Sequence, residues 1–565
     1  MKKLSHKDTL SFINAIDDDY RVHWIADGLP VGMFDETGTF QRGFPVGQLL
    51  PVAGPAPAKR AKAGSNFIRP AVPHEVQHVL NNHIKIVLEY NDDPISLVMG
   101  AEADEPTDAI RVVNFRVEPS SVQHSWNGGD FVEGQTVLST CNTNRKSTST
   151  IVPRTPPFVL ASGAAGAVVF TYDVIWQHSE TPWASRWDLY LTASNPNDRV
   201  HWFSISNSIL IVLFLSITIG TILLRALRKD IAQYNDSASL EDAREESGWK
   251  LVHGDVFRPP AFSPMLFSVL LGSGVQLFLM SLATLFFALV GLLSPANRGS
   301  LTTGLLILYV CMGSFAGYYS SVTYKMFRGT DWRRNTIITA LFYPSICFVC
   351  FFLLNLMLWA EGSSGAVPFS TFFTILFLWF CVSVPLVVLG AFFGYKKEVV
   401  AHPVRTNQIP RAIPPQDWYM SPTITTAVGG ILPFGAVAVE LYFIMSALWL
   451  HQIYYIFGFL FLVLIVLVVT CAEVAILMTY FQLCSEDYHW WWRAFSTAGA
   501  CAGYMFLYAI WYNLTQLNIT EVAPTIIYFT YMGLASFTFY LVTGTIGFVA
   551  AFCFNTVIYG SIKVD

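Results

Sequence analysis

Charge is what this chain most conspicuously lacks. Only 13% of its 565 residues are Asp, Glu, Lys or Arg, while 53% are hydrophobic. Soluble domains carry about 25% charged residues, so the deficit excludes an ordinary soluble globule and requires an apolar environment. A second absence is local. Before Trp202 there is no apolar run long enough to cross a bilayer, for which about 20 residues of helix are needed. Cysteine is scarce there too: of nine cysteines, Cys141 alone precedes the apolar runs, which excludes an internal disulfide in that section. No long basic stripe points to nucleic acid, and the net charge of −5 implies no partner of one sign. The opening MKKLSHKDTLSFINAIDDDYRVHWIADGLP has no signal-peptide h-region. The reading is that the translated start lies late in a longer gene; the alternative is translocation through the first span.

What is present begins after Trp202. Nine apolar runs are expected to form helices at about 204–227, 264–293, 301–326, 335–359, 367–394, 428–450, 454–483, 494–513 and 524–557. Basic residues decide the orientation. With the front section lumenal, alternate connections are cytosolic and hold Arg225 to Arg258, Lys325 to Arg334, Lys396 to Arg411, Arg493 and Lys563. The lumenal connections between spans hold Arg298 alone. The opposite orientation would put every basic cluster on the wrong side.

The front section, 1–203, favours strands. His83–Tyr90 and Ile110–Val117 are rich in β-branched residues and bounded by turn residues. In Ala167–Trp176 the side chains of Val168, Phe170, Tyr172, Val174 and Trp176 share one face. Short strands with Gly, Pro and Asn turns predict an all-β unit, a sandwich, with the Pro/Ala/Lys stretch 51–64 as a loop. Its histidines are scattered and its acids unpaired, so no catalytic constellation emerges. The fold class expected is a polytopic α-helical membrane protein with nine transmembrane helices, preceded by this β-rich domain. The transmembrane domain runs 204–557 with a cytosolic loop at 228–263, and the tail is 558–565.

Several segments carry a resemblance: DDYRVHWIADGLPV at 18–31, WASRWDLYL at 183–191, HWFSISNS at 201–208, GWKLVHGDVFRPP at 248–260, NQIPRAIP at 407–414 and YFQLCSEDYHWWWR at 480–493. By these the chain resembles the nonaspanin family, the transmembrane 9 superfamily, along essentially its whole length. The resemblance implies a lumenal domain followed by nine spans, and residence in Golgi and endosomal membranes. It further implies a part in sorting other membrane proteins, with no enzymatic activity and no cofactor. In the family a signal peptide and further lumenal sequence precede the DDYRVHWIADGLPV-like segment, which suits the late start.

Candidate functional residues follow. The tail Lys563-Val564-Asp565 resembles the family's KXD/E signal, implying the COPI coat as a partner. Such recognition needs a cation, a carboxylate side chain and the terminal carboxylate on a flexible end. Glu440 and Glu473 fall inside the sixth and seventh spans. A carboxylate there costs about 2.5–3.5 kcal/mol on insertion scales, so each must face helices or water or be protonated. They read equally as a proton relay or client-helix site, or as internal hydrogen bonds. Trp490, Trp491, Trp492 and Arg493 read as a membrane-interface anchor. Asn513-Leu514-Thr515 and Asn518-Ile519-Thr520 are glycosylation sequons in a short lumenal loop. Cys347 and Cys350 have CxxC spacing but no nearby His, and read as apolar packing. Gly313/Gly317 and Gly390/Gly394 permit close helix approach, within the bundle or toward a client helix.

The expected function is therefore sorting or localising membrane proteins with glycine-rich spans, with membrane lipid, coat and cargo as partners. The alternative is a proton- or ion-coupled transporter using Glu440 and Glu473, with Pro344, Pro385 and Pro433 as possible helix breaks. A membrane enzyme is less well supported, because the spans hold too few converging His, Asp or Ser groups.

Overall fold

The computed structural model describes residues 2–34, 40–51, 76–91, 110–126, 155–160, 167–187, 198–236, 248–293, 300–363, 365–449, 457–517 and 521–560, with positions 138, 140, 190 and 519. The chain divides into two compact units, 1–196 and 197–565.

The N-terminal unit is β-rich. Its main sheet contains β1 (Gly32–Phe34), β2 (Phe40–Arg42), β3 (His83–Asn91), β4 (Arg111–Ser120) and β5 (Thr171–His178) in the order β5-β3-β4-β1-β2. β3 pairs antiparallel with β4 but parallel with β5, so the sheet is mixed, unlike the antiparallel sheets usual in sandwiches. Helix α1 (His6–Asp17) was not expected. A capping box starts it: the Asp8 N–H donates to Ser5 Oγ at 3.2 Å, and the Ser5 N–H donates to the Asp8 carboxylate at 3.0 Å.

The expected strand 167–176 is broken, because Asn82 intervenes. Its side-chain amide donates to the Val122 and Val169 carbonyls and its Oδ1 accepts from the Val122 N–H. Ala167–Val168 pairs instead with Lys2–Lys3. The face shared by Tyr172, Val174 and Trp176 is the exposed one, with Tyr172 72% accessible. Alternation alone located the face without telling which side would be covered. Most of the 51–64 stretch lies outside the described residues.

The second unit is helical. Among the described residues eight helices contain a segment long and apolar enough to span a bilayer. They include α2 (Asp198–Asp236), α3 (Pro264–Leu289), α4 (Ser300–Met326) and α5 (Trp332–Ala360). α6 (Phe369–Phe377) continues through a π-helical stretch, Leu378–Ser383, into α7 (Val384–Lys396). α8 (Pro422–Trp449), α9 (Phe457–Cys484) and α12 (Val522–Gly560) complete the set. The span expected at 494–513 is instead two helices, α10 (Trp490–Gly499) and α11 (Cys501–Tyr512). They join through Ala500, itself helical at φ −60°, ψ −22°.

α3 and α12 form the centre, with 67% and 61% of their apolar windows buried, against 17% for α2 and for α6–α7. The small residues of α4 and α7 account for the closest packing. A Cβ on Gly317 would overlap the Val387 carbonyl, and one on Gly390 or Gly394 would overlap Ser314 or Tyr318–Ser321. Bare backbones meet there, the arrangement by which small residues bring membrane helices together. The Gly317, Gly390 and Gly394 sites are thus occupied by the bundle itself and offer no groove to a client. Pro344 and Pro433 sit inside unbroken helices; the irregular backbone lies at Leu378–Ser383, just before Pro385.

Candidate functional site

The three later segments that carry the resemblance converge at one end of the bundle. Gly248 (φ 96°) turns the chain into a 3-10 turn, Trp249–Val252; this positive φ favours glycine. Asp255, 2% exposed, then organises the loop. Its carboxylate accepts from Arg258 Nε at 3.0 Å and from the Arg411 N–H at 3.2 Å. Arg258 Nη2 donates to the Asn407 carbonyl at 2.8 Å, and the Asn407 N–H donates to the Gly254 carbonyl at 2.8 Å.

Against this loop stand the tryptophans. The indole N–H groups of Trp490, Trp491 and Trp492 donate to the carbonyls of Val256, Arg258 and Phe262, each at 2.8 Å. Trp490 and Trp491 stack with centroids 4.3 Å apart and are 0% and 2% exposed. The Tyr559 hydroxyl donates to the Trp249 carbonyl at 2.7 Å, attaching the end of α12. His402 stacks on Phe257 at 4.6 Å; burial, then the Arg328 cation, push its pKa below the ordinary value.

Arg493 is the second anchor of this cap. Its guanidinium pairs with Asp487 at 3.0 Å and donates to Thr425 Oγ1 at 3.0 Å and to the Met420 carbonyl. Gln482 donates to the same Asp487 oxygen at 2.9 Å. An arginine so enclosed ties the start of α10 to the start of α8. Removing one partner of such a buried pair typically costs about 3–5 kcal/mol, because it strands the other charge.

This corrects the anchor reading of Trp490, Trp491 and Arg493. Interface anchors must reach the headgroup zone, whereas these side chains are enclosed by protein and spend their donors on protein acceptors. Exposed aromatics suited to a headgroup zone are Trp332 (52%), Trp418 (77%), Tyr419 (53%) and Phe262 (70%). Trp332 carries Arg333 over its ring at 5.2 Å. Sequence held one signal for them: isolated aromatics beside charges just outside apolar runs.

Glu440 is 1% exposed and accepts a hydrogen bond from Ser208 Oγ of α2 at 2.7 Å. Glu473 Oε2 is buried without a hydrogen-bond partner among the described residues. The two acids are not brought together. Ala436 and Val466 share one apolar cluster, and a Cβ on Gly429 would lie 3.6 Å from Val474. In that antiparallel register Glu473 stands level with Gly429–Gly430, about ten residues or roughly 15 Å of helix from Glu440. Asn513, 6% exposed within the π-helical turn Asn513–Leu517, is too enclosed to be a glycan acceptor, which corrects that expectation. Asn518, Lys563 and Asp565 lie outside the described residues. Cys347 and Cys350 are free and partly buried in α5, and no cluster of metal-ligating residues occurs among the described residues.

Between α8 and α10–α11, around the Ala500 junction, lies an open groove of about 750 Å³. Thr423, Thr426, Ala427, Ala500 and Gly503 line it with small side chains, flanked by Tyr504, Phe506 and Leu507. Nothing lies within 4 Å of a Cβ built on Gly503.

A β-rich unit followed by a bundle of apolar helices, stapled at one end by buried indoles and ion pairs, defines a polytopic membrane protein. The profile of the family described as Endomembrane protein 70 matches residues 1–522. Transmembrane 9 superfamily member 9 of Arabidopsis thaliana is 47% identical over 577 residues, covering 100% of this chain and 83% of the relative. The human member 2 is 44% identical, covering 100% and 80%, and the human member 4 is 43% identical, covering 97% and 81%. This chain therefore belongs to the transmembrane 9 superfamily, the nonaspanins. No solved structure matches it.

Proposed function

We propose that this protein sorts or localises other membrane proteins in Golgi and endosomal membranes, and is itself retained by a COPI-type coat reading Lys563-Val564-Asp565. The N-terminal unit is lumenal and the tail cytosolic in this reading. The observation that carries it is the groove between α8 and α11. The bundle closes Gly317, Gly390 and Gly394 against the facing helix at α4–α7 but leaves Ala427, Ala500 and Gly503 open to the membrane. Without a hydrophobic driving force in lipid, helices associate where small residues let backbones approach. A glycine-rich span of a client fits that requirement. The separation of Glu440 from Glu473 does not favour a relay between them, so the transporter reading is not pursued.

The test is site-specific photo-crosslinking in intact membranes, with a probe at position 427 or 507 and a glycine-rich reporter span as client. Crosslinking should fall at least fivefold in Gly503→Leu while the protein stays in place. Equal crosslinking of a leucine-only span would sink the client reading. Separately, Lys563→Ala with Asp565→Ala should release a tagged protein to later compartments; unchanged residence would refute the coat assignment.

A further inference from the structure

The bundle holds a second cavity, of about 380 Å³, between α3, α4, α5 and the π-helical stretch joining α6 to α7. We propose that it is a binding site for one hydrocarbon tail of a bilayer lipid, taken from the leaflet at the Ser300 end of α4. Its size falls within the range of small-molecule sites. Its lining is hydrocarbon and aromatic, with Leu277, Val310, Phe348, Phe351 and Leu378 among the contributors and no charged side chain.

Two departures from regular helix shape the cavity. Pro344 has no N–H, so the carbonyl four residues earlier, Ala340, is left without its helical donor. The indole of Trp379 supplies that donor at 3.2 Å. Trp379 can do so because it lies in the π-helical stretch Leu378–Ser383, where an extra residue in the turn re-aims side chains. The bundle thus opens a space beside Pro344 and still satisfies the backbone group that the proline frees, as a low-dielectric interior requires.

The polar groups at the wall identify the occupant. Trp379 is used by Ala340, the Tyr343 hydroxyl is bonded to Thr538 Oγ1 at 2.8 Å, and the Gln276 amide donates to the Tyr309 carbonyl at 2.8 Å. The Tyr309 hydroxyl finds no hydrogen-bond partner among the described residues, but it is fully buried. Ser383, the remaining hydroxyl of the lining, offers an occupant a single partner, whereas water needs two to four. A plain acyl chain needs none. Access is also suited to a tail: Leu305, 41% exposed at the rim, is five residues from the start of α4, or about 7–8 Å of helix. The remaining depth runs toward the middle of the bundle, the path of a chain hanging from a headgroup.

The experiment uses the full chain in nanodiscs of phosphatidylcholine carrying a mid-chain diazirine, with labelled peptides mapped by mass spectrometry. Label should concentrate on 305–310, 343–351 and 375–383 relative to the exposed face of α2 around Phe214. Val310→Phe, which fills the cavity, should lower it at least fivefold at those peptides and leave α2 labelling unchanged. Leu306→Phe serves as a second filler should Val310→Phe fail to fold, as judged by size-exclusion profile. Label spread evenly over all lipid-facing helices, or unaffected by both fillers, would overturn the proposal. So would label competed away by a sterol but not by unlabelled phosphatidylcholine.

Discussion

Two polar networks, one in each unit, solve the problem of burial with different groups. The cap of the helical unit uses indoles, guanidinium groups and carboxylates: Trp490, Trp491, Arg258, Arg493, Asp255 and Asp487. The N-terminal unit uses imidazoles. His83 Nδ1 lies 2.8 Å from Thr171 Oγ1 and His124 Nε2 lies 3.0 Å from the same oxygen. His124 Nδ1 reaches Thr140 Oγ1 at 2.8 Å, and Asp173 approaches His83 Nε2 at 3.6 Å. The cap is built chiefly from guanidinium, carboxylate and indole groups, with His402 on Phe257 and His489 beside Asp487, whereas the N-terminal network rests on imidazoles, which change state near pH 6.5. The lesson is that two imidazoles meeting at one hydroxyl resist protonation through burial and mutual repulsion, whereas the cap holds its charges as pairs. If both rings carried two protons, the Thr171 hydroxyl would face two donors.

The difference can be broken or sharpened by experiment, beginning with the largest effect. Trp490→Ala removes a fully buried ring and strands the Val256 carbonyl. It should destabilise the protein by about 3–5 kcal/mol, read as a drop in thermal unfolding in detergent. Trp490→Phe should recover most of the loss, since it forfeits chiefly one hydrogen bond worth about 1 kcal/mol. Asp487→Asn leaves Arg493 uncompensated and should cost about 3 kcal/mol. Pairing it with Arg493→Met should restore part of that; a double variant no better than the single would argue against a coupled pair.

The imidazole network carries the smallest effect, with a pH dependence set by its two rings. Burial lowers the pKa of His83, with Asp173 opposing, and burial followed by the proximity of His83 lowers that of His124. The unfolded chain then binds more protons than the fold below about pH 6.5. Stability of the N-terminal unit should be level above that pH and decline as pH falls through it toward the lowered values. Hydrogen exchange of peptides 83–91 and 171–178 in the full chain measures this. His124→Gln, which keeps a hydrogen-bonding side chain without the titration, should flatten the profile; an unchanged slope would remove His83 and His124 as its source. Ser208→Ala offers a comparison in the helical unit, expected to cost about 1 kcal/mol by removing a donor to Glu440.

Much of the architecture was legible because period and length suffice for it. Apolar runs located the long helices of the second unit, and β-branched alternation located His83–Tyr90 within one residue of β3 and Ile110–Val117 within one to three residues of β4. Failures occurred where a single long-range contact decides. Asn82 breaks the strand at Val169 from 87 residues away, and α1 rests on a capping box too short to stand out. Trp490–Arg493 has the composition of an interface anchor; only the docking of 248–260 encloses it.

By itself the sequence determined that the chain crosses membranes repeatedly and that its first 200 or so residues hold no apolar run long enough to do so. Lipid thickness and charge placement act locally, so they leave marks readable without coordinates. The tertiary structure alone decided which aromatic rings are enclosed, that Glu440 meets Ser208 and stands far from Glu473, and which glycines remain open. Such facts depend on which helix faces meet, and residues separated by 232 positions, as Ser208 and Glu440 are, leave no periodic trace of their encounter.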